Sequence, residues 1–393
     1  MSVVASIKEL FTTNLQRSGI YLAFVAIVVF FAVRTNGLSL GPENLTNLVL
    51  QYSYILILAI GMVMVIIAGH IDLSVGSVVA LVGAVSAIFV VRQGQPWWVG
   101  MIAGLIVGAL IGAWQGFWVA YVGIPAFIVT LAGMLLFRGL TGLVLNNLSL
   151  GPFNKPYTLI ASGFSNGLLG GNGYDVFTLV VFAIVAVAYA WSQWRARKAR
   201  LAYNQSVQPL ALLVLQVVVV SAIIMWFAWQ ISHDRGLPVV LIILAVLIIA
   251  YTLVTQKSVF GRHVYALGGN KTAAALSGVK VRRINFGVML NMGVLAGVAG
   301  LVFSARSNAA QPGAGNMFEL DAIAACFIGG AAVTGGVGTV PGAMVGGLIM
   351  AVMSNGMQLL GMETSPQQVV KGLVLLLAVA FDVWNKRRSG AVR

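Results

Sequence analysis

Long apolar runs recur along nearly the whole chain, and short polar stretches separate them. A helix needs about 20 mostly apolar residues to cross the hydrocarbon core of a bilayer. About twelve runs approach this length, at residues 19–33, 47–69, 76–91, 97–122, 125–146, 175–192, 208–229, 237–254, 284–304, 321–336, 338–359 and 368–384. Only 8% of the residues are charged, whereas a soluble domain averages about 25%. The sequence therefore predicts an all-α, polytopic membrane bundle of about ten to twelve transmembrane helices, with residues 1–393 forming a single transmembrane domain.

Lys and Arg residues are concentrated in a few of the loops. Dense clusters occur at 195–200, 257–283 and 386–393. When the N-terminus is placed inside, all three clusters fall on the same side, and cytoplasmic loops of membrane proteins carry an excess of basic residues. We therefore expect both termini to be cytoplasmic. The net charge of +14 follows from this topology and does not indicate a nucleic-acid partner.

The basic segment 257–283 is too polar to lie in lipid. Asn270 can cap a short helix that begins at Lys271, and Gly278 can end it in a left-handed conformation. The alanine side chains between these caps are small, so another protein can approach the helix closely. We therefore interpret 257–283 as a rigid cytoplasmic coupling loop. An ordinary capped basic loop is the alternative.

One predicted span carries a glycine at every fourth position, at Gly100, Gly104, Gly108, Gly112 and Gly116. These glycines share one helical face, which predicts close packing against another helix. A second glycine-rich segment follows at 329–347. A glycine-rich helix in each half of the chain would suit an inverted repeat.

Two further segments interrupt the regular pattern of spans. Residues 188–236 predict an inserted helical pair at the periphery, with one helix ending in the cluster at 195–200. Asp72 lies in a polar break between two spans, where an acid near lipid is costly. It is either a polar element of the transport pathway or an N-cap of the helix that begins near Val75.

The residue types that carry enzyme chemistry do not converge in this sequence. His70, His233 and His263 lie on different predicted sides of the membrane, and the acids supply no convincing metal set. The string at 266–272, ALGGNKT, has Asn270 where a phosphate-binding loop needs glycine before its lysine. We therefore expect no catalysis, no bound metal and no cofactor, and any ATP hydrolysis has to occur on a separate subunit.

Four strings together resemble the permease of bacterial monosaccharide ABC importers of the ribose, xylose and arabinose type. They are GHIDLSVGS at 69–77, GIPAFIVTLAGMLLFRG at 123–139, FGRHVYALGGNKTAAALSGVKV at 260–281 and ELDAIAACFIGGAAVTGGVGTVPGA at 319–343. The resemblance covers nearly the whole chain. The inserted helical pair resembles the D-xylose permease branch.

The resemblance implies a multi-pass subunit of the bacterial inner membrane that moves a monosaccharide, D-xylose, from periplasm to cytoplasm. It also implies a homodimer of permeases, cytoplasmic ABC ATPase subunits and a periplasmic sugar-binding protein. A short cytoplasmic helix of such permeases fits a cleft on the ATPase. The matching residues here are Gly261, Arg262, Gly268, Asn270, Ala273, Ala274, Ser277 and Gly278.

Polar residues within or beside the spans are further candidates. We predict a substrate pathway near Gln51, Tyr52, Thr130 and Asn291, although each of these side chains also suits helix packing. We predict contact with the binding protein at Arg306, Glu319 and Asp321, for which plain solvation is the alternative.

Two other functions compete with the importer hypothesis. An ion-coupled secondary sugar transporter would use Asp72 and Asp321 as ion sites. A structural membrane subunit would transport nothing. Sequence alone disfavours the first because it shows no acid pair within a predicted span.

Overall fold

Helices make up most of the described chain, because backbone that lies in hydrocarbon must satisfy its own hydrogen bonds. A computed structural model describes residues 15–205, 207 and 209–388. The remaining residues, which include both predicted cytoplasmic termini, lie outside this description. The helices are α1 (Leu15–Arg34), α2 (Pro42–Ile67), α3 (Val75–Ala87), α4 (Trp97–Phe117), α5 (Ala126–Leu145), α6 (Lys155–Ser162), α7 (Val176–Ala202), α8 (Leu210–Ser232), α9 (Val239–Lys257), α10 (Val259–Gly269), α11 (Lys271–Leu276), α12 (Val281–Ser307), α13 (Phe318–Ile328), α14 (Val340–Leu359) and α15 (Thr364–Arg388).

Nine of the helical segments in the described chain are long and apolar enough to cross a membrane. They comprise α2 to α5, α7 to α9, α12 and α14, and π-helical turns at Ile88–Arg92 and Trp118–Val122 extend α3 and α4. Shorter apolar helical stretches lie at Gly19–Arg34 and Thr364–Ala380. The two-residue strands Phe164–Ser165 (β1) and Leu237–Pro238 (β2) pair antiparallel. The predicted all-α, polytopic membrane bundle is confirmed.

The predicted span at 321–336 differs from the observed structure. Its helix, α13, ends at Ile328, and the chain continues without helix as far as the start of α14. Gly330, just after the end of α13, has a φ angle of +88°, and Gly335 and Gly336 further along the loop have φ angles of +82° and +73°. This left-handed conformation favours glycine and interrupts a regular helix. The apolar composition of 321–336 was therefore misleading, because its glycines serve a tight loop.

The centre of the bundle is α12, which packs against α2, α3 and α4. The glycine face of α4 lies directly on it, so a Cβ atom on Gly112 would stand 2.7 Å from the carbonyl oxygen of Met289. A Cβ atom on Gly108 would stand 2.6 Å from the carbonyl oxygen of Gly293. The predicted packing role of the α4 glycines is confirmed, since only glycine permits such backbone contact.

After α12 the chain turns back into the bundle over residues 308–317. Arg138 in α5 donates a hydrogen bond to the carbonyl oxygen of Ala314. The backbone of Gly315 packs directly on that of Gly76 in the first turn of α3. Irregular backbone at membrane depth is tolerated where protein surrounds it. The eleven-residue helix α13 therefore begins inside the bundle and does not cross it.

Helices α7 and α8 pack mainly against each other. The side-chain amide of Gln216 donates to the hydroxyl of Tyr189 at 3.2 Å, which links the two helices. Gln230 near the end of α8 donates to the carbonyl oxygen of Leu40 at 2.7 Å. Only 11% and 6% of the most apolar windows of α7 and α8 are buried. The pair thus lies at the edge of the bundle.

Candidate functional site

The predicted coupling loop contains two consecutive capped helices, α10 and α11. The Ser258 hydroxyl accepts a hydrogen bond from the backbone N–H of Gly261 at 2.9 Å and caps α10. The Asn270 side chain accepts from the N–H of Ala273 at 2.9 Å and caps α11. Gly278 follows with φ of +85°. The predicted short helix and both of its ends are confirmed.

The base of this loop contacts two other parts of the bundle, through the backbone at Gly268 and through the side chain of Tyr265. A Cβ atom on Gly268 would overlap the carbonyl oxygen of Ile67 at the end of α2. The same oxygen accepts from the N–H of Gly336 at 2.8 Å, and the Tyr265 hydroxyl donates to the carbonyl oxygen of Gly338 at 2.6 Å. The second half of α10 is therefore in direct contact with the end of α2 and with the loop before α14.

The predicted coupling residues divide into a buried and an exposed set. Gly261 and Ala274 are buried within the chain and Gly268 is half-buried. The exposed residues are Arg262, Asn270, Ala273, Ser277 and Gly278. Leu276 was missed by the sequence reasoning, yet its side chain is 86% exposed at the tip of α11. A signal was present, because Leu276 is the large apolar residue in an otherwise small and polar helix.

A cavity with a partly polar wall lies at the end of the bundle opposite to the coupling loop, between α2, α13, α14 and α15. Its volume is about 430 Å³. The predicted pathway residues Gln51 and Tyr52 line it, and Gln51 donates to the side chain of Gln358 at 3.2 Å. Further polar side chains in its wall are Asn316, Thr364, Gln367 and Gln368. Such amides and hydroxyls can exchange hydrogen bonds with a neutral polyhydroxylated molecule.

An ion pair stands in the wall of this cavity. The Lys371 ammonium donates to both carboxylate oxygens of Asp321, at 3.0 and 3.1 Å. The side chains of Lys371 and Asp321 are 24% and 17% exposed. Asp321 is a predicted docking residue. The sequence analysis assigns Lys371 no role, although a lysine within a predicted span is a signal of a functional or paired charge. The structure joins the start of α13 to α15 through these two residues.

The two other predicted pathway residues lie apart from the cavity. Thr130 is fully buried and donates to the carbonyl oxygen of Ile71 at 3.3 Å. Asn291 accepts from the Tyr251 hydroxyl at 2.5 Å and donates to the sulfur of Met64 at 3.7 Å. Thr130 thus links α5 to the loop before α3, whereas Asn291 links α12 to α9 and α2.

The remaining predicted docking residues have different surroundings. Arg306 is half-buried in the last turn of α12. Glu319 is only 8% exposed, and its Oε2 atom faces the backbone of Gly76. The carboxylate of Glu319 therefore points into the bundle, where the positive charge of Arg138 acts on it.

Asp72 lies in a buried polar cluster between α2 and α3. Its carboxylate accepts from the N–H and the hydroxyl of Ser74 at 2.8 and 2.7 Å, and Gln115 donates to that hydroxyl at 2.6 Å. Burial raises the pKa of Asp72 to about 6. His70 next to it hydrogen-bonds Asn285 at 3.1 Å. The carboxylate thus fixes the turn before α3 without capping that helix directly.

Comparison with known proteins gives consistent matches over most of the chain. The family model described as the permease component of the branched-chain amino acid transport system matches residues 44–379. The xylose transport system permease protein XylH of Escherichia coli is 40% identical over 376 residues, which cover 96% of this chain and 94% of the relative. XylH of Haemophilus influenzae is 40% identical over 381 residues, covering 97% and 99%.

A second group of relatives is more distant. The ribose import permease protein RbsC of Escherichia coli is 33% identical over 371 residues, covering 93% of this chain and 94% of the relative. No solved structure matches the chain. The matched region contains the cavity, the coupling loop and, apart from the first two residues of α2, the nine transmembrane candidates of the described chain. The chain therefore belongs to the family of permease components represented by the branched-chain amino acid transport system.

Proposed function

We propose that this chain is the permease subunit of an ATP-dependent importer that moves D-xylose from the periplasm to the cytoplasm across a bacterial inner membrane. The observation that carries this proposal is the 40% identity to xylose permeases over 96% of the chain. Ribose permeases are related at 33%. The substrate class is therefore a neutral pentose, which agrees with a cavity lined by amides and hydroxyls.

ATP hydrolysis is assigned to separate cytoplasmic subunits that dock on α10 and α11. The exposed tip of α11 offers Leu276 and Ala273 to a cleft, while Gly268 keeps the base of the loop against α2. A closing motion of the ATPase pair would then move the ends of α2 and α14 together. Alternating access follows when two packings of these helices exchange.

The cavity is proposed as one half of the sugar pathway, with a second copy of this chain supplying the other half. Gln358 and Gln368 are exposed on the cavity wall. Polar side chains that face hydrocarbon are costly, so a partner copy that covers this wall would stabilise it. A periplasmic sugar-binding protein would deliver the sugar near Arg306, whereas Asp321 belongs to the cavity itself.

Reconstituted vesicles distinguish this proposal from its rivals. The expected result is D-xylose uptake only when ATP, the ATPase subunits and the binding protein are all present. Uptake driven by a proton or sodium gradient alone would favour a secondary transporter and overturn the proposal. A lack of uptake under both conditions, with the assembled complex present, would favour a structural subunit.

A further inference from the structure

The peripheral helices α7 and α8 enclose an apolar groove that no part of the described chain fills. Its volume is about 370 Å³, and residues such as Val187, Trp191, Trp194, Val214 and Val218 line it. These side chains offer almost no polar surface. A groove of this kind on a lipid-facing helical pair suits a hydrocarbon chain.

The cytoplasmic end of the same groove becomes polar and basic. A smaller cavity of about 180 Å³ is lined there by Gln193, Arg197, Arg200 and Gln216. Leu213 lines both cavities, so the apolar groove continues into the basic one. The Arg200 guanidinium and the amides of Gln193 and Gln216 lie at one end of the apolar groove, and such groups can donate hydrogen bonds to an anionic oxygen.

The residues of α7 that line the basic cavity share one helical face, and Arg195 lies on the opposite face. Gln193, Arg197 and Arg200 are spaced at four and three residues, so they share the face that meets α8. Arg195 lies between them in sequence but points to the opposite face, since it is two residues from both Gln193 and Arg197. Lys198 stands 5.9 Å from the ring centre of Trp194.

We propose that the groove and basic cavity between α7 and α8 bind one anionic phospholipid of the inner leaflet. An acyl chain lies in the apolar groove, and the phosphate receives hydrogen bonds from Arg200, Gln193 and Gln216. The position of the site at the cytoplasmic side of the membrane and its basic residues both agree with an anionic phospholipid. Basic pockets between transmembrane helices on the cytoplasmic side bind anionic headgroups, and tryptophans favour the level of the headgroups.

Native mass spectrometry of the intact permease, incubated with phosphatidylglycerol or phosphatidylcholine, tests the site. We expect phosphatidylglycerol to be retained preferentially. Arg200→Gln should weaken its retention by about fivefold, the effect of one basic residue near an anionic headgroup. Arg195→Gln removes the same charge from the opposite face and should leave retention nearly unchanged. Val214→Trp should fill the groove and lower retention of both lipids.

Three results would overturn this assignment. Equal losses in Arg200→Gln and Arg195→Gln would indicate a diffuse charge effect without a site. Unchanged retention in Val214→Trp would exclude an acyl chain from the groove. A permease dimer that dissociates in Val214→Trp would show that a second copy occupies the groove. The melting temperature of each variant, measured without added lipid, separates lost binding from lost folding.

Discussion

The coupling loop and the partly polar cavity are held in place in different ways. At Gly268 the loop rests on α2 through backbone atoms alone, and both of its helices are capped at 2.9 Å. The cavity depends on side chains, including the Asp321–Lys371 pair and the amide contact between Gln51 and Gln358. Backbone contacts resist deformation, whereas exposed side chains can exchange partners. The difference agrees with the roles proposed for the two regions, which are ATPase docking for the loop and sugar passage for the cavity.

One added methyl group should disrupt the close contact between Gly268 and the end of α2. Gly268→Ala places a Cβ atom on the carbonyl oxygen of Ile67, and overpacking of this kind costs about 1–3 kcal/mol. We expect a lower melting temperature and a large loss of ATP-dependent uptake. Gly269→Ala is the matched control, because nothing lies within 4 Å of its Cβ position. Equal melting temperatures and equal uptake rates for the two variants would show that the close contact at Gly268 does not hold the loop in place.

The ion pair of the cavity is the next strongest test. Lys371→Met leaves the half-buried carboxylate of Asp321 without its partner, which we expect to cost about 1–2 kcal/mol. The double variant Lys371→Met with Asp321→Asn removes both charges and should recover part of the melting temperature. Thermal unfolding in detergent measures both changes. A double variant that is no more stable than the single one would argue against coupling between α13 and α15.

The pathway residues should show the smallest effect. Gln51→Ala removes one lining amide, a hydrogen bond worth about 0.5–1.5 kcal/mol, so the KM for D-xylose uptake should rise by about two- to tenfold. Thr130→Val changes another predicted pathway residue, which lies outside the cavity, and should leave KM unchanged. A larger change in KM for Thr130→Val than for Gln51→Ala would indicate that the sugar pathway does not run through the cavity.

Much of this fold follows from the sequence because lipid imposes simple rules. Apolar runs predicted most of the helices, and the spacing of the α4 glycines predicted close packing against another helix, which is α12 in the structure. Capping residues predicted α11 from Asn270 to Gly278. These signals are local, so a single segment carries each of them.

The features that the sequence did not provide depend on partners that are distant along the chain. Lys371 and Asp321 meet across fifty residues, and no local pattern pairs them. The apolar segment 321–336 resembles a span, yet α13 stops at Ile328, the left-handed Gly330 follows, and Gly335 and Gly336 lie against the coupling loop. The sequence of α11 also does not show which of its residues are buried, because burial depends on contacts outside the helix. In the structure Ala274 is buried, and Leu276, two residues later, is exposed.

The coupling of ATP hydrolysis to uptake in Leu276→Arg tests the central claim most directly. The variant places a charge at an exposed tip, so the permease should fold normally. In vesicles that contain the assembled complex, we predict that sugar-stimulated ATP hydrolysis and D-xylose uptake both fall by about tenfold, as expected for the loss of about 1.4 kcal/mol at one docking contact. Wild-type rates of both, with the same amount of bound ATPase, would contradict a coupling role for α11.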